Sequence, residues 1–146
     1  ASEWYTSESA LLFNGAGSSL MTLTGVDLGT DVAGTENNFM WGEFHITDGV
    51  ELTLTDSDLN GDAALYVGLF DFEGEIDFVG FAIDSISSEF NIYYDLDHEE
   101  NAYLGGGTFS LNGAGSLIGM SSVPLPASAY LFLSGLFGMG VLKRKK

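Results

Sequence analysis

The residues best suited to chemistry form an acidic run in the middle of the chain, Asp56-Ser57-Asp58-Leu59-Asn60-Gly61-Asp62. Side-chain oxygens at alternate positions, followed by a glycine for a sharp turn, suit Ca²⁺, which takes about six to eight oxygen ligands. The run opens like an EF-hand loop, but Val67 stands where that loop needs a bidentate Glu, and the flanks are strand-like. We therefore predict a Ca²⁺ loop of a β-protein, completed by carboxylates from elsewhere; the alternative is a solvated turn. The predicted ligands are Asp56, Asp58, Asn60 and Asp62.

Two further acidic runs occur at 71–77 and 95–100. Each run either contributes metal ligands or is an acidic loop that keeps the protein soluble. His98 lies among carboxylates, where a histidine can join a metal site, titrate as a switch or simply face solvent. His45 alternates with Phe44 and Ile46, so we expect its side chain to point outward from a strand.

Residues for nucleophilic catalysis are scarce. The chain has no Cys and no Gly-x-Ser-x-Gly motif, and no Lys or Arg precedes residue 143 to hold an oxyanion or a phosphate. Paired carboxylates could serve glycoside hydrolysis, but in a chain so rich in acids such pairs arise by chance. We predict that the protein is not an enzyme.

Charge is segregated along the 146 residues, whose formal net charge is −17. All 21 Asp and Glu residues lie between Glu3 and Glu100, whereas the four Lys and Arg residues occupy positions 143–146. Nucleic-acid binding is excluded, because phosphates must be neutralised by Lys or Arg. The acidic part repels itself when compact, so salt, bound metal or a cationic partner must screen it.

Apolar residues recur at every second position from Trp4 to about Leu117, which is the period of half-buried strands. We predict an all-β domain over residues 1–118, an antiparallel β-sandwich of jelly-roll or Ig-like type with about eight strands. A closed barrel is the alternative. The predicted strands lie near 4–13, 19–28, 38–47, 50–56, 64–72, 76–84, 89–95 and 107–118, and the aromatic residues expected to fill the core include Trp41, Phe44, Tyr66, Phe70, Phe78 and Phe81.

One five-residue sequence occurs twice: Asn14-Gly15-Ala16-Gly17-Ser18 returns as Asn112-Gly113-Ala114-Gly115-Ser116. Asn-Gly favours hairpins because both residues accept positive φ. Since the flanking residues match poorly, we predict two similar hairpin loops and not a duplicated unit.

The tail begins after a short linker, 119–122, and holds an uncharged run from Val123 to Leu142. As a helix, these 20 residues would be about 30 Å long, which matches the hydrocarbon thickness of a bilayer. The basic residues that follow, Lys143, Arg144, Lys145 and Lys146, would stay on the cytoplasmic side and leave the acidic domain outside. Ser134 and Gly138 have the spacing that lets membrane helices pack closely.

Three features follow one another in the tail: the residues Val123, Pro124, Leu125, Pro126 and Ala127, then the apolar run, then the basic cluster. Together they resemble the VPLPA version of the PEP-CTERM sorting signal. The resemblance is confined to about the last 24 residues. It implies export from a Gram-negative bacterium and processing by an exosortase-type membrane protease during delivery to the cell surface or the exopolysaccharide matrix. The first residues, Ala1-Ser2-Glu3, are consistent with a cut behind a small residue by a signal peptidase. A plain single-pass anchor is the alternative for the tail.

These observations predict an exported, non-enzymatic structural or matrix protein of the bacterial surface, which associates with itself or with exopolysaccharide. If the tail is retained, the protein is membrane-anchored, and one alternative is a subunit of a filament or membrane complex assembled through its helix. Another is a calcium-dependent module that binds a glycan or a protein through exposed aromatic residues such as Tyr93, Tyr94 and Tyr103.

Overall fold

Nine strands dominate the protein. The structure is a computed structural model that describes residues 8–30, 40–57 and 62–121. Strands hold 55% of these residues and one 3-10 helix, Glu99–Leu104, holds 6%. The strands are β1 (Ala10–Phe13), β2 (Gly17–Leu23), β3 (Met40–Ile46), β4 (Val50–Asp56), β5 (Ala64–Phe72), β6 (Ala82–Ser88), β7 (Asn91–Asp95), β8 (Phe109–Asn112) and β9 (Ser116–Met120).

Alternating side chains explain why these segments are strands. In β4, Leu52 and Leu54 are buried while Glu51 and Thr53 are exposed, as expected when successive side chains point to opposite faces of a sheet. β5 differs, because it is buried on both faces from Ala64 to Phe70. Its inner residues join the main core and its outer residues lie beneath another segment of the chain.

The strands form one mixed sheet in the order β1-β3-β5-β7-β9-β8-β6-β4-β2. Odd-numbered strands are parallel to each other, as are even-numbered strands, and the two sets join at one antiparallel pair, β8 and β9. The sheet is nearly closed into a barrel. Its two terminal strands, β1 and β2, are connected by residues 14–16. One core cluster fills the interior between the odd and even sets, including Phe44, Leu65, Ile86 and Phe109.

The predicted antiparallel sandwich is therefore wrong. A sandwich of this kind requires strands adjacent in sequence to pair as hairpins, whereas β8 and β9 are the only consecutive strands that pair within the described residues. For example, residues 47–49 link β3 to β4, but β3 pairs with β1 and β5. Alternation along a strand specifies which face is buried, but it does not specify the neighbouring strand. The barrel-like sheet is nearer to the closed barrel given as the alternative.

The repeated five-residue sequence takes two different roles. Asn112–Ser116 makes the β8–β9 hairpin, where Phe109 pairs with Leu117. Asn14–Ser18 instead joins β1 to β2, which lie at opposite ends of the strand order. The hairpin prediction is thus confirmed for the second copy and wrong for the first.

Several boundaries also differ from prediction. The segment predicted as a strand over 76–84 contains a loop, and β6 begins only at Ala82. The predicted strand 107–118 is two strands, and β9 continues to Met120, within the predicted linker. The predicted helix, Val123 to Leu142, lies outside the described residues. Within residues 8–30, 40–57 and 62–121, no helix has the length and apolar character needed to span a membrane.

Candidate ligand-binding crevice

Connections between odd and even strands meet at one end of the barrel. Because the odd strands run opposite to the even strands, each odd strand ends where the next even strand begins. Residues 47–49, 73–81 and 96–108 make three of these connections. Irregular segments brought together on a rigid scaffold are common places for binding sites.

An acidic crevice of about 520 Å³ opens between the β3–β4 and β5–β6 connections. This volume lies within the range of small-molecule sites. Five carboxylates line it, and no described residue is a Lys or Arg that could offset them. The crevice should therefore concentrate cations from solution. Its carboxylates belong to Asp48, Glu51, Glu75, Asp77 and Asp84.

Ser85 also lines the crevice. Its Oγ is buried and lacks a hydrogen-bond partner within the described part of the chain. A hydroxyl is both a donor and an acceptor, and leaving it unpaired in a buried position costs free energy. Ser85 therefore places a buried hydroxyl with unused bonding capacity in the wall of the crevice.

The two ends of a hairpin-like turn, residues 77–82, line the crevice; we call this turn the aromatic loop. Its two ends pair through Asp77 N to Ala82 O at 2.9 Å and Ala82 N to Asp77 O at 3.0 Å. The Asp77 carboxylate accepts hydrogen bonds from the Gly80 and Val79 amides, both at 2.9 Å, and these bonds lower the pKa of Asp77. The turn is therefore held by its own acidic residue, which stays ionised.

The aromatic loop presents apolar side chains to solvent. Phe78, Val79 and Phe81 are 51%, 93% and 52% exposed. Both phenyl rings rest against buried Phe109, with centroids 5.7 Å and 5.9 Å away. Phe81 has a φ of 54°, a backbone conformation that is unfavourable for a bulky residue. Anchored rings beside carboxylates suit a ligand that is both cationic and apolar.

The sequence missed this loop, since Phe78 and Phe81 were assigned to the core. The available signal was Asp77 before Phe78-Val79-Gly80, because Asp and Gly favour turns. Two of the tyrosines predicted to be exposed are buried. Tyr93 is 3% and Tyr94 0% exposed, so that part of the glycan-binding prediction is wrong.

Tyr103 is 40% exposed, and its hydroxyl donates to the Phe70 carbonyl at 2.6 Å. Burial raises its pKa. This anchored hydroxyl ties the 3-10 helix to β5.

Two of the four predicted calcium ligands, Asp56 and Asp62, lie at the other end of the barrel. Asp56 ends β4 and Asp62 shortly precedes β5, while Asp58 and Asn60 lie outside the described residues. The Asp62 carbonyl accepts a hydrogen bond from Asp27 N. Across the described ranges, no cluster of three or more His, Asp or Glu side chains is arranged to hold a metal ion.

The two histidines lie on different elements, one on β3 and the other just before the 3-10 helix. His45 faces outward from β3, with Nε2 2.8 Å from a Glu43 oxygen and Nδ1 2.8 Å from an Asp71 oxygen. The Glu43 hydrogen bond is the largest of the effects that raise the pKa of His45, and Asp71 acts in the same direction. His98 precedes the 3-10 helix, and its Nδ1 is buried without a partner in the described ranges.

A polar cluster on the outer face of β5 and β7 has a structural role. The Asp27 carboxylate accepts hydrogen bonds from Tyr93 Oη at 2.7 Å and Asn91 Nδ2 at 3.0 Å. Tyr66 Oη accepts one from Leu28 N at 3.0 Å, and its ring stacks on Tyr93 with centroids 4.8 Å apart. These contacts fasten the segment that follows β2 over the outer face of β5 at Tyr66, while Asn101 and Tyr103 of the 3-10 helix bond to Gly68 and Phe70 further along the strand.

The sorting-signal residues 123–127 and 143–146, with the helix-packing pair Ser134 and Gly138, lie outside the described residues. Searches against protein-family models, curated proteins and solved structures each found no match to this chain.

Proposed function

We propose that the protein is an exported, non-enzymatic structural or matrix protein of the bacterial cell surface, delivered through its PEP-CTERM-type tail. The observation that carries this proposal is the order of three features: residues 123–127, the uncharged run to Leu142, and the basic residues 143–146. Each could occur alone by chance. In this order they resemble a signal that delivers a domain to the outside of the membrane and is then processed there.

The acidic domain supports the same function. Its carboxylates are distributed over loops and outward-facing strand positions, such as Glu51 and Asp84. A uniformly anionic surface keeps domains apart unless cations or cationic groups bridge them. Such a protein can join a matrix through cation-dependent contacts with itself or with exopolysaccharide, and the acidic crevice is one place for them.

Intact-mass measurement tests the delivery step. The full chain would be expressed in a bacterium that contains an exosortase-type protease and recovered from the cell surface. We expect a mass lower than that of the full chain, because the tail is cut within or close to residues 123–127. A variant with Pro124→Ala and Pro126→Ala should keep its full mass and remain with the membrane.

Ser134→Ala is the matched control, since it changes the apolar run but not the motif. It should be processed like the wild type. Recovery of the wild type at full mass, or equal processing of the proline variant, would overturn the proposal of a sorting signal. A full-mass protein in membrane-bound oligomers would instead favour the alternative of a complex assembled through the retained helix.

A further inference from the structure

We propose that, before membrane delivery, the acidic crevice and the aromatic loop bind the tail of the same chain, with the basic run 143–146 in the crevice. The proposal concerns a state that precedes the surface role and does not depend on how the tail is later processed. Charge, chain path and apolar surface each support it.

Charge complementarity identifies the basic run as the occupant. Residues 143–146 hold every Lys and Arg of the chain, and the crevice gathers five carboxylates within one cavity. An exposed pair of opposite charges contributes little, but several cations entering a concave site lined by one sign of charge experience a focused field. The Ser85 hydroxyl in the crevice wall has no hydrogen-bond partner among the described residues, which leaves one acceptor unused there.

The chain path allows the contact. β9 ends at Met120 and, because odd strands end where even strands begin, Ser121 leaves the barrel at the same end as the crevice. Ser121 Oγ donates to an Asp97 carboxylate oxygen at 2.9 Å. The crevice borders β6 and β4, two and three places from β9 in the strand order, which is about 10–15 Å at the usual strand spacing. Residues 122–142 can span up to about 70 Å when extended, so the basic run can reach the crevice.

The aromatic loop suits the apolar part of the tail. Phe78, Val79 and Phe81 form an exposed apolar patch in the loop whose two ends, Asp77 and Ala82, line the crevice. A run of uncharged residues from Val123 to Leu142 is a liability in water until a membrane receives it. Contact between the two would cover part of both surfaces and would place the basic run next to the carboxylates.

Trypsin offers a direct test, because the bonds after Lys143, Arg144 and Lys145 are the only ones in this sequence that it can cleave. If the dissociation constant is about tenfold below the effective concentration, which is roughly millimolar for a short flexible linker, about a tenth of the basic runs are free. We therefore expect cleavage of the full-length protein, in a non-ionic detergent at low salt, to be about tenfold slower than in about 0.5 M NaCl. A small arginine amide substrate in each buffer corrects for the effect of salt on trypsin.

A crevice variant with Asp48→Asn, Glu75→Gln and Asp84→Asn should be cleaved at the fast rate even at low salt. The matched control is a variant with Glu8→Gln, Glu89→Gln and Glu100→Gln, which loses the same charge from exposed positions outside the crevice and should behave like the wild type. Spermine, a polyamine that trypsin does not cleave, should release the basic run of the wild type, so the test does not depend on the variants folding.

Equal rates in all these conditions would overturn the proposal. Equal acceleration in the two triple variants would also overturn it, because the net charge and not the crevice would then be responsible. Protection that increases with protein concentration would exclude binding within one chain and indicate contact between copies.

Discussion

Replacing Phe81 tests whether the backbone of the aromatic loop is strained. A positive φ costs a residue with a Cβ roughly 1–2 kcal/mol, and glycine avoids this cost. At ordinary positions glycine is instead less stable than alanine by roughly 0.5–1 kcal/mol, because it has more conformational freedom to lose. At Phe81, with its φ of 54°, we therefore expect Phe81→Gly to be more stable than Phe81→Ala by about 0.5–1 kcal/mol.

Both variants should be less stable than the wild type. About half of the Phe81 side chain is buried, which corresponds to roughly 100 Å² of apolar surface and about 2.5 kcal/mol. Part of that contribution comes from the contact with the buried ring of Phe109. Removing the ring thus outweighs the relief of strain even in Phe81→Gly.

Phe78 is the matched control, because it is equally exposed, packs on the same Phe109 ring and has no positive φ. There, Phe78→Gly should be less stable than Phe78→Ala. Urea unfolding of the four variants with a common m-value measures both differences, and their contrast should be about 1–2 kcal/mol. If glycine is the less stable replacement at both positions by the same amount, the reasoning about strain is wrong.

Four further predictions concern the turns, the core and the charged groups. Gly113→Ala should lower the free energy of unfolding, measured in urea, by at least about 1 kcal/mol more than Gly15→Ala does. Both glycines have positive φ, but only at Gly113 would a Cβ approach a backbone oxygen, to 2.5 Å. Equal losses in the two variants would contradict this. Asn101→Ala should cost about 3 kcal/mol in the same assay, because the buried amide bonds to three backbone groups, and a loss under about 1 kcal/mol would show that the amide is dispensable. Because the pKa of His45 is raised, its charged form stabilises the fold below about pH 6.5, and this contribution disappears as the pH rises through the folded pKa. His45→Gln should therefore lose more stability near pH 5.5 than near pH 8.5. The opposite order would refute the assignment. If the acidic run binds Ca²⁺, millimolar Ca²⁺ should raise the melting temperature of the wild type relative to a chelator and raise that of Asp56→Ala less; no shift, or equal shifts in both, would remove the calcium site.

Strand segments could be predicted where the pattern is local. Leu52 and Leu54 alternate with polar residues in the sequence and are buried in β4. The pairing of β4 could not be predicted in this way, because it lies between β2 and β6, whose residues are more than 25 positions away. The same limitation applies to the repeated sequence, since identical residues at 14–18 and 112–116 form a crossing connection in one place and a hairpin in the other.

The candidate site was harder to predict than the strands. One acidic run, 71–77, was recognised and contributes Glu75 and Asp77 to the crevice, but Asp48 and Asp84 lie in separate segments of the sequence. They meet only because connections from different strand pairs occur at the same end of the barrel. The exposure of aromatic residues could not be predicted from the sequence either. Hydrophobicity alone does not distinguish Phe81, which is half exposed, from Tyr94, which is fully buried.

By itself, the sequence determined that the chain contains short alternating strands, that its acidic part holds no Lys or Arg, and that its cations follow an apolar run beginning with Val123. These properties depend only on residues close together in the chain. The tertiary structure decided that neighbouring strands are mostly parallel, that five carboxylates line one crevice, and that Phe78 and Phe81 are half exposed in a loop whose ends line that crevice. The physical reason is that strand order depends on which connections cross the core and on how the sheet closes, and both are set by contacts between distant residues.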